Sequence, residues 1–276
     1  MIESEMERGQ MITHFAGLQL HTVSKLAVKQ FYYDQLQFPV VFESETAITF
    51  QPTPDFALTF TEAFEPIAPA HIAFEVPYSE FEASAAFVRS AGISPLKWPA
   101  GHEIDDFETG RNIYFRDGDG NLLEIITHSY VKEGVRAPCG PLKVMYLREI
   151  GFPVDDVIGF REWLKDTLQL KTVKEQDNFN FVIGGTAHTI VTSTQRRWIP
   201  IAMIALPPRM TVSLGVSDSR FIQQVRTSLE EQGIDNHTNE DDEDLSFSFN
   251  GYRLRLVVTA FPEETAALLN LPLARK

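Results

Sequence analysis

Ala70-His71-Ile72-Ala73-Phe74-Glu75-Val76 and Asn112-Ile113-Tyr114-Phe115-Arg116-Asp117-Gly118-Asp119-Gly120-Asn121-Leu122-Leu123-Glu124-Ile125-Ile126 are the stretches that decide the fold. In the first, Ile72, Phe74 and Val76 alternate with His71, Ala73 and Glu75, and a period of two marks a strand with one face in the core. His71 and Glu75 therefore lie on the other face. In the second, Asp117–Asn121 is a turn rich in Asp and Gly between two β-type runs, the pattern of a hairpin. On its return strand Leu123 and Ile125 share one face, and Glu124 and Ile126 the other. An imidazole and a carboxylate thus stand on the non-core faces of two strands. That is two-thirds of a His/His/carboxylate site for a divalent metal.

The same order of elements recurs outward from these stretches. Before His71, Phe15–Val23 reads as a strand, and Lys25–Leu36 as a helix with Leu26, Phe31, Tyr32 and Leu36 on its stripe. Val40–Glu43, Ala47–Gln51 and Phe56–Glu62 read as three strands. The unit begun by His71 continues with a helix over Glu80–Ala91 that stops at Gly92. Strands near Ile93–Lys97, Asn112–Arg116 and Leu122–Thr127 complete it. The segment Trp98 to Arg111, with His102, Glu103, Asp105 and Asp106, reads as a lid or binding loop, or equally as a solvated acidic loop. Lys132–Leu142, with Gly134, Pro138, Gly140 and Pro141, reads as a linker.

Two more units follow. One has a strand at Tyr146–Pro153, a helix over Asp155–Leu168, and strands at Thr172–Lys174, Phe179–Ile183 and His188–Thr192. The other starts at Thr211–Val216, with a helix capped by Ser217 or Asp218 and ended by Gly233. Strands near Asp235–Thr238, Leu245–Phe249 and Tyr252–Val258 close it. The acidic run Glu240–Asp244 reads as a solvated turn, since it lacks EF-hand spacing. Ala266–Leu273 reads as a short terminal helix.

The H-I-A-F-E-V strand, its helix and the I-Y-F-R-D-G-D-G-N-L-L-E-I-I hairpin together resemble half a domain of the vicinal oxygen chelate superfamily. That superfamily includes glyoxalase I, extradiol ring-cleaving dioxygenases and the bleomycin- and fosfomycin-resistance proteins. The resemblance extends over nearly the whole chain. It implies an α+β fold of four βαβββ modules paired into two vicinal-oxygen-chelate domains with cupped mixed sheets. Taken in chain order, this gives a polar tail at 1–11, a first glyoxalase-like domain at 12–131 with the candidate metal site, and a linker at 132–144. A second, non-catalytic glyoxalase-like domain spans 145–260 and a tail 261–276.

The resemblance implies that His71 and Glu124 are metal ligands. The matching positions of the other units fall on Gly17 and, on the fourth strand, near Thr59; on Glu149 with His188 or Thr189; and on Thr211 with Arg255. Pairing in chain order leaves Gly17 where the third ligand is expected. Gln19 lies about 7 Å along that strand and His21 about 13 Å; His14 and the loop residue His102 are further candidates. Arg255 places a fixed positive charge where a carboxylate should stand. The expectation is therefore a Glu149–Arg255 ion pair in an emptied second cavity, with His188 a satisfied buried histidine. Tyr114 and His102 are the candidate catalytic side chains, and Phe107 and Trp98 the candidate aromatic wall.

The 276 residues carry a net charge of −14, which argues against nucleic acid or an anionic membrane as partner. The single Cys139 excludes an intramolecular disulfide. No long apolar run or secretory pattern is found, so a cytoplasmic setting is expected. The resemblance implies a metal-dependent oxidoreductase similar to extradiol ring-cleaving dioxygenases, acting on a small aromatic or oxygenated substrate in the first-domain cup. The alternatives are a glyoxalase-type isomerase or lyase, and a non-catalytic small-molecule binder like the bleomycin-resistance proteins. One divalent metal is implied, Fe(II) or Mn(II) for the dioxygenase and Zn or Ni for the isomerase. The expected partner is a small-molecule substrate, and the plan is compatible with a homodimer.

Overall fold

A computed structural model describes residues 11–198, 203–239, 241 and 243–274. The polar tail up to Gln10, and Glu240 and Asp242 of the acidic run, lie outside the described residues. Four units are present. The first has β1 (Ile12–Thr22), α1 (Lys25–Lys29) running on into a π turn at Gln30–Gln35, β2 (Val40–Glu43), β3 (Ala47–Thr53) and β4 (Phe56–Glu62). The second has β5 (His71–Glu75), α2 (Phe81–Ser90), β6 (Ile104–Phe107), β7 (Gly110–Arg116) and β8 (Leu122–His128). The third has β9 (Tyr146–Val154), α3 (Val157–Leu168), β10 (Lys171–Thr172), β11 (Phe179–Gly184) and β12 (Ala187–Ser193). A small hairpin, β13 (Arg197–Trp198) and β14 (Met203–Ile204), precedes the fourth unit. That unit has β15 (Thr211–Val216), α4 (Ser219–Glu231), β16 (Asn236–Thr238), β17 (Asp244–Phe249) and β18 (Tyr252–Val258), and α5 (Thr265–Leu268) follows it.

Helix boundaries follow local chemistry. Asp156 accepts a hydrogen bond from Gly159 N at the start of α3, and Asp218 caps α4 through Arg220 N. Each satisfies a backbone donor that the first turn leaves unpaired.

The units form two eight-stranded mixed sheets. One runs β16-β17-β18-β15-β1-β4-β3-β2 and the other β10-β11-β12-β9-β5-β8-β7-β6. The first unit therefore shares a sheet with the fourth, and the second with the third. This corrects the pairing in chain order. The physical reason lies in the aromatic layer between consecutive units. Phe38 and Phe56 pack on Phe74 with ring centroids 5.7 and 6.3 Å apart, and Phe31 meets Phe115 at 6.4 Å. Units one and two are thus stacked face to face through their apolar sides. Units three and four do the same, with Phe152 against Tyr252 at 4.8 Å and Trp163 against Phe249 at 3.9 Å. The free edges of β1 and β5 are then taken by β15 and β9, both antiparallel.

Two local expectations also change. Ile93–Lys97 is not a strand; the second unit's first hairpin strand is β6, inside the segment read as a loop. Pro95 removes a backbone donor there, and Leu96 N alone bonds to Tyr114 O. Between β5 and β9 a bulge places Arg148 as an extra residue: Ala73 pairs with Glu149 but Phe74 with Leu147. Bulges of this kind re-aim side chains, and here Arg148 and Glu149 both line the same cavity. No helix among the described residues is long and apolar enough to cross a membrane.

Candidate metal centre

The cup of the second sheet holds a cavity of about 450 Å³. Its floor comes from the central strands. His71 on β5, Glu124 on β8 and Glu149 on β9 each offer a ligand atom, all within 4.8 Å of one another and all buried. Parallel β5–β8 pairing sets His71 opposite Leu122 and Ala73 opposite Glu124, so the imidazole and carboxylate are diagonal neighbours on one face. Ala73 also faces Glu149 across the antiparallel pair. Its small side chain leaves the space into which the three functional groups converge.

His71 Nε2 donates to Glu124 Oε2 at 3.0 Å. Asn112 Nδ2 donates to the other oxygen, Glu124 Oε1, at 2.8 Å, and also to the Tyr114 hydroxyl at 3.3 Å. Asn112 therefore fixes the Glu124 carboxylate from behind. Burial, then the nearby charge of Glu124, pushes the Glu149 carboxyl up to about 8. Two carboxylates close together and out of water repel unless a cation stands between them. One imidazole with two carboxylates is a donor set for a first-row divalent ion, whose bonds of about 2.0–2.2 Å fit donors gathered this closely. A metal would take the place of the His71–Glu124 hydrogen bond.

Trp198 roofs this group. Its indole stacks on the His71 ring at 4.8 Å between centroids. Gly151 permits the approach, because a Cβ there would lie 2.8 Å from Trp198 Cη2 and 3.1 Å from His71 Cβ. Tyr114 closes the side, with its ring 6.4 Å from His71. Burial and then Glu124 raise its phenol well above the usual range, so it stays a neutral donor.

The far end of the cavity is a second polar group. Glu75, fully buried, accepts from Arg148 Nη1 at 3.1 Å and from His128 Nδ1 at 3.0 Å. Arg148 Nη2 donates to the Tyr130 hydroxyl at 2.8 Å. Burial alone would lower the Arg148 pKa, but the Glu75 charge more than offsets it. His188 on β12, the strand partner of Glu149, is buried and held neutral by that burial and by Arg148 and His128. Its Nε2 has no hydrogen-bond partner, and neither has Trp198 Nε1.

His71, Glu124 and Tyr114 thus come together as the sequence reading expected. The third group beside His71 and Glu124 is Glu149 in place of Gly17, a carboxylate rather than a second imidazole, and the three could hold a metal ion. The expected Glu149–Arg255 pair does not form. Arg255 lies in the other sheet and pairs with Asp244. His102 is exposed, stacked on Trp98, and does not reach the cavity. His14 is also elsewhere, stacked on Phe261 at 4.1 Å, and Gln19 donates to Thr61. His188 is not satisfied as expected, since one ring nitrogen is free. Phe107 lines the cavity; Trp98 packs behind Tyr114 instead. Arg148 and Trp198 were missed. An arginine beside the strand glutamate Glu149 was a readable signal, whereas nothing local foretold the seat of Trp198.

No protein-family model and no curated protein matches the sequence. Solved structures do match. One is a protein from Bacillus subtilis described as a "putative dioxygenase", at 11% identity and TM-score 0.68, covering 95% of this chain and 91% of that one. The chain has the vicinal oxygen chelate fold. Glyoxalase I from Zea mays shares this fold with it at 13% identity and TM-score 0.56, covering 93% of this chain and 96% of that chain. Within the vicinal oxygen chelate fold, the His71–Glu124–Glu149 group occupies the cup between two modules that are adjacent in sequence, the second and third.

Proposed function

We propose that the chain is a mononuclear divalent-metal enzyme that takes a small oxygenated aromatic substrate into the cup of the second sheet, with oxidative ring cleavage as its reaction class. The meeting of His71, Glu124 and Glu149 at the floor of an aromatic-walled cavity carries this reading. Fe(II) or Mn(II) suits the oxygen-rich donor set, and Zn or Ni could also be held. When bound, the metal supplies a Lewis-acid centre with open positions for a chelating substrate. The chain's own residues do the rest. Asn112 orients Glu124, the Trp198 indole fixes the His71 ring and keeps water off it, and Tyr114 offers a hydrogen bond beside the ligands. His188 Nε2 and Trp198 Nε1 are buried polar atoms free to engage substrate oxygens or hydroxyls. The dioxygenase description of the Bacillus subtilis structure supports the choice of reaction class.

A second reading is metal-assisted proton transfer of the isomerase kind. It is favoured by the buried Glu149 carboxylate at the cavity floor, which could move a proton if substrate displaced it from the metal. The two readings separate in one assay. Protein loaded in turn with Fe(II), Mn(II), Zn and Ni is given catechols under an oxygen electrode, and a hemithioacetal under a spectrophotometer. Oxygen uptake that needs Fe(II) or Mn(II) supports ring cleavage; isomerisation with Zn or Ni supports the second reading. If no metal binds, both fail, and the cup is a binding site only.

A further inference from the structure

The crossover from the third unit to the fourth, residues 194–210, is longer than its counterpart at 63–70 and carries the β13–β14 hairpin. Three consecutive residues of that crossover, Arg196 and the β13 residues Arg197 and Trp198, line the cavity of the second sheet. The crossover 63–70 contributes nothing to the cavity of the first sheet. Trp198 covers His71. The two arginines stand further out, with Arg196 half-buried and Arg197 exposed.

These arginines stand at the cavity without a carboxylate partner among the described residues. The chain has 38 acidic residues against 24 basic ones. Most arginines elsewhere among the described residues have a carboxylate partner: Arg89 with Glu103, Arg111 with Asp106, Arg136 with Asp55, Arg161 with Glu162. Arg196 and Arg197 have no carboxylate partner among the described residues. Arg196 instead lies over the Phe179 ring, 4.1 Å from its centroid. Stacking of this kind holds a guanidinium by its face and leaves its N–H edge for an anion. Deep in the same cavity stand the buried carboxylates Glu124 and Glu149, while the one deep arginine, Arg148, is already spent on Glu75. An anionic group is repelled from the floor and welcomed at the rim.

We propose that Arg196 and Arg197 form an anion subsite, so that the substrate is a flat, largely apolar molecule with chelating oxygens at one end and a carboxylate or comparable anion at the other. This rests on the metal-enzyme reading for the inner end only. The cavity of about 450 Å³ accommodates one ring with a short acidic side chain.

The test compares 3-(3,4-dihydroxyphenyl)propionate with its methyl ester by isothermal titration calorimetry at low salt. Wild type is used both Mn(II)-loaded and EDTA-treated. The acid is expected to bind about ten-fold more tightly than the ester, as one charge-assisted contact supplies. The gap should shrink at high salt. It should close in Arg196→Gln/Arg197→Gln with the ester's affinity unchanged, and largely persist in Arg196→Lys/Arg197→Lys. Equal or weaker binding of the acid, or a gap that survives the Gln pair, overturns the subsite. Failure of both compounds to bind wild type overturns the aromatic substrate as well. A gap that is present but indifferent to EDTA leaves the subsite standing and tells against the metal reading. Metal-dependent affinity with no gap does the reverse.

Discussion

The two cups of this molecule are built alike and equipped differently. In the first sheet Gly17, Thr59, Ser213 and Arg255 line a cavity of about 470 Å³, close to the size of the other. Its central strands β1 and β15 pair antiparallel, as β5 and β9 do. Yet the strand register puts Gly17, Thr59 and Thr211, a glycine and two hydroxyls, where the second cup presents His71, Glu124 and Glu149. Crowding does not impose this. A Cβ on Gly17 would meet only ordinary contacts, at 3.5 Å from Ala57 O and Ser213 Cβ. The backbone supplies two equivalent concave sites, and side-chain chemistry alone decides which can hold a metal.

Several substitutions sharpen or break this contrast. The largest effect is expected from His71→Ala and Glu124→Ala. Each should lower metal affinity by at least about 100-fold and abolish turnover, while Arg255→Ala in the other cup should change neither; loss of a ligand exceeds the 10–100-fold typical of outer partners. Competition with a chromogenic chelator measures it. Next comes Asn112→Ala, which releases Glu124 Oε1 and should cost about 10-fold in metal affinity with the fold intact.

A pH dependence should follow from Glu149. Its carboxyl is pushed up to about 8 in the folded protein from an ordinary 4.5. Between these values the folded, metal-free state binds more protons than the unfolded one, so its stability should fall as pH rises through that window. Metal uptake needs the carboxylate and should strengthen over the same range. Urea unfolding of EDTA-treated protein at pH 5 and pH 8 tests the first effect, and Glu149→Gln should remove that component of the slope. A smaller change is expected from Gly151→Ala. The added methyl should push the Trp198 indole off His71, seen as altered tryptophan fluorescence and a few-fold change in metal off-rate, because the roof over the ligands loosens. The smallest is His102→Ala. An exposed loop residue outside the cavity should leave metal affinity and melting temperature essentially unchanged.

Much of this was legible in the residues. The alternation around His71 and the Asp-Gly hairpin before Glu124 fixed those two side chains on one face, and the repeat yielded four units. Glu149, with His188 or Thr189, was also identified at the matching positions of the third unit. What local pattern could not reveal was which units share a sheet. Edge pairing is decided by long-range packing, here the Phe38–Phe56–Phe74 contacts that stack the first two units face to face. With the pairing taken in chain order, Glu149 fell opposite Arg255 and Gly17 opposite His71. The pairing of the second unit with the third instead brings Glu149 beside His71 and Glu124. The extra residue of the bulge at Arg148 and the seat of Trp198 over Gly151 depend on three-dimensional register, which period-two patterning does not encode.

The most direct measurement is the metal content of untagged protein, purified without chelators and re-exposed to Fe(II) or Mn(II), for wild type beside Glu149→Gln. Near-stoichiometric metal in wild type that is lost in the variant is expected if the second and third units assemble the centre. Metal retained at full stoichiometry and affinity in Glu149→Gln, or none taken up by wild type, would contradict it.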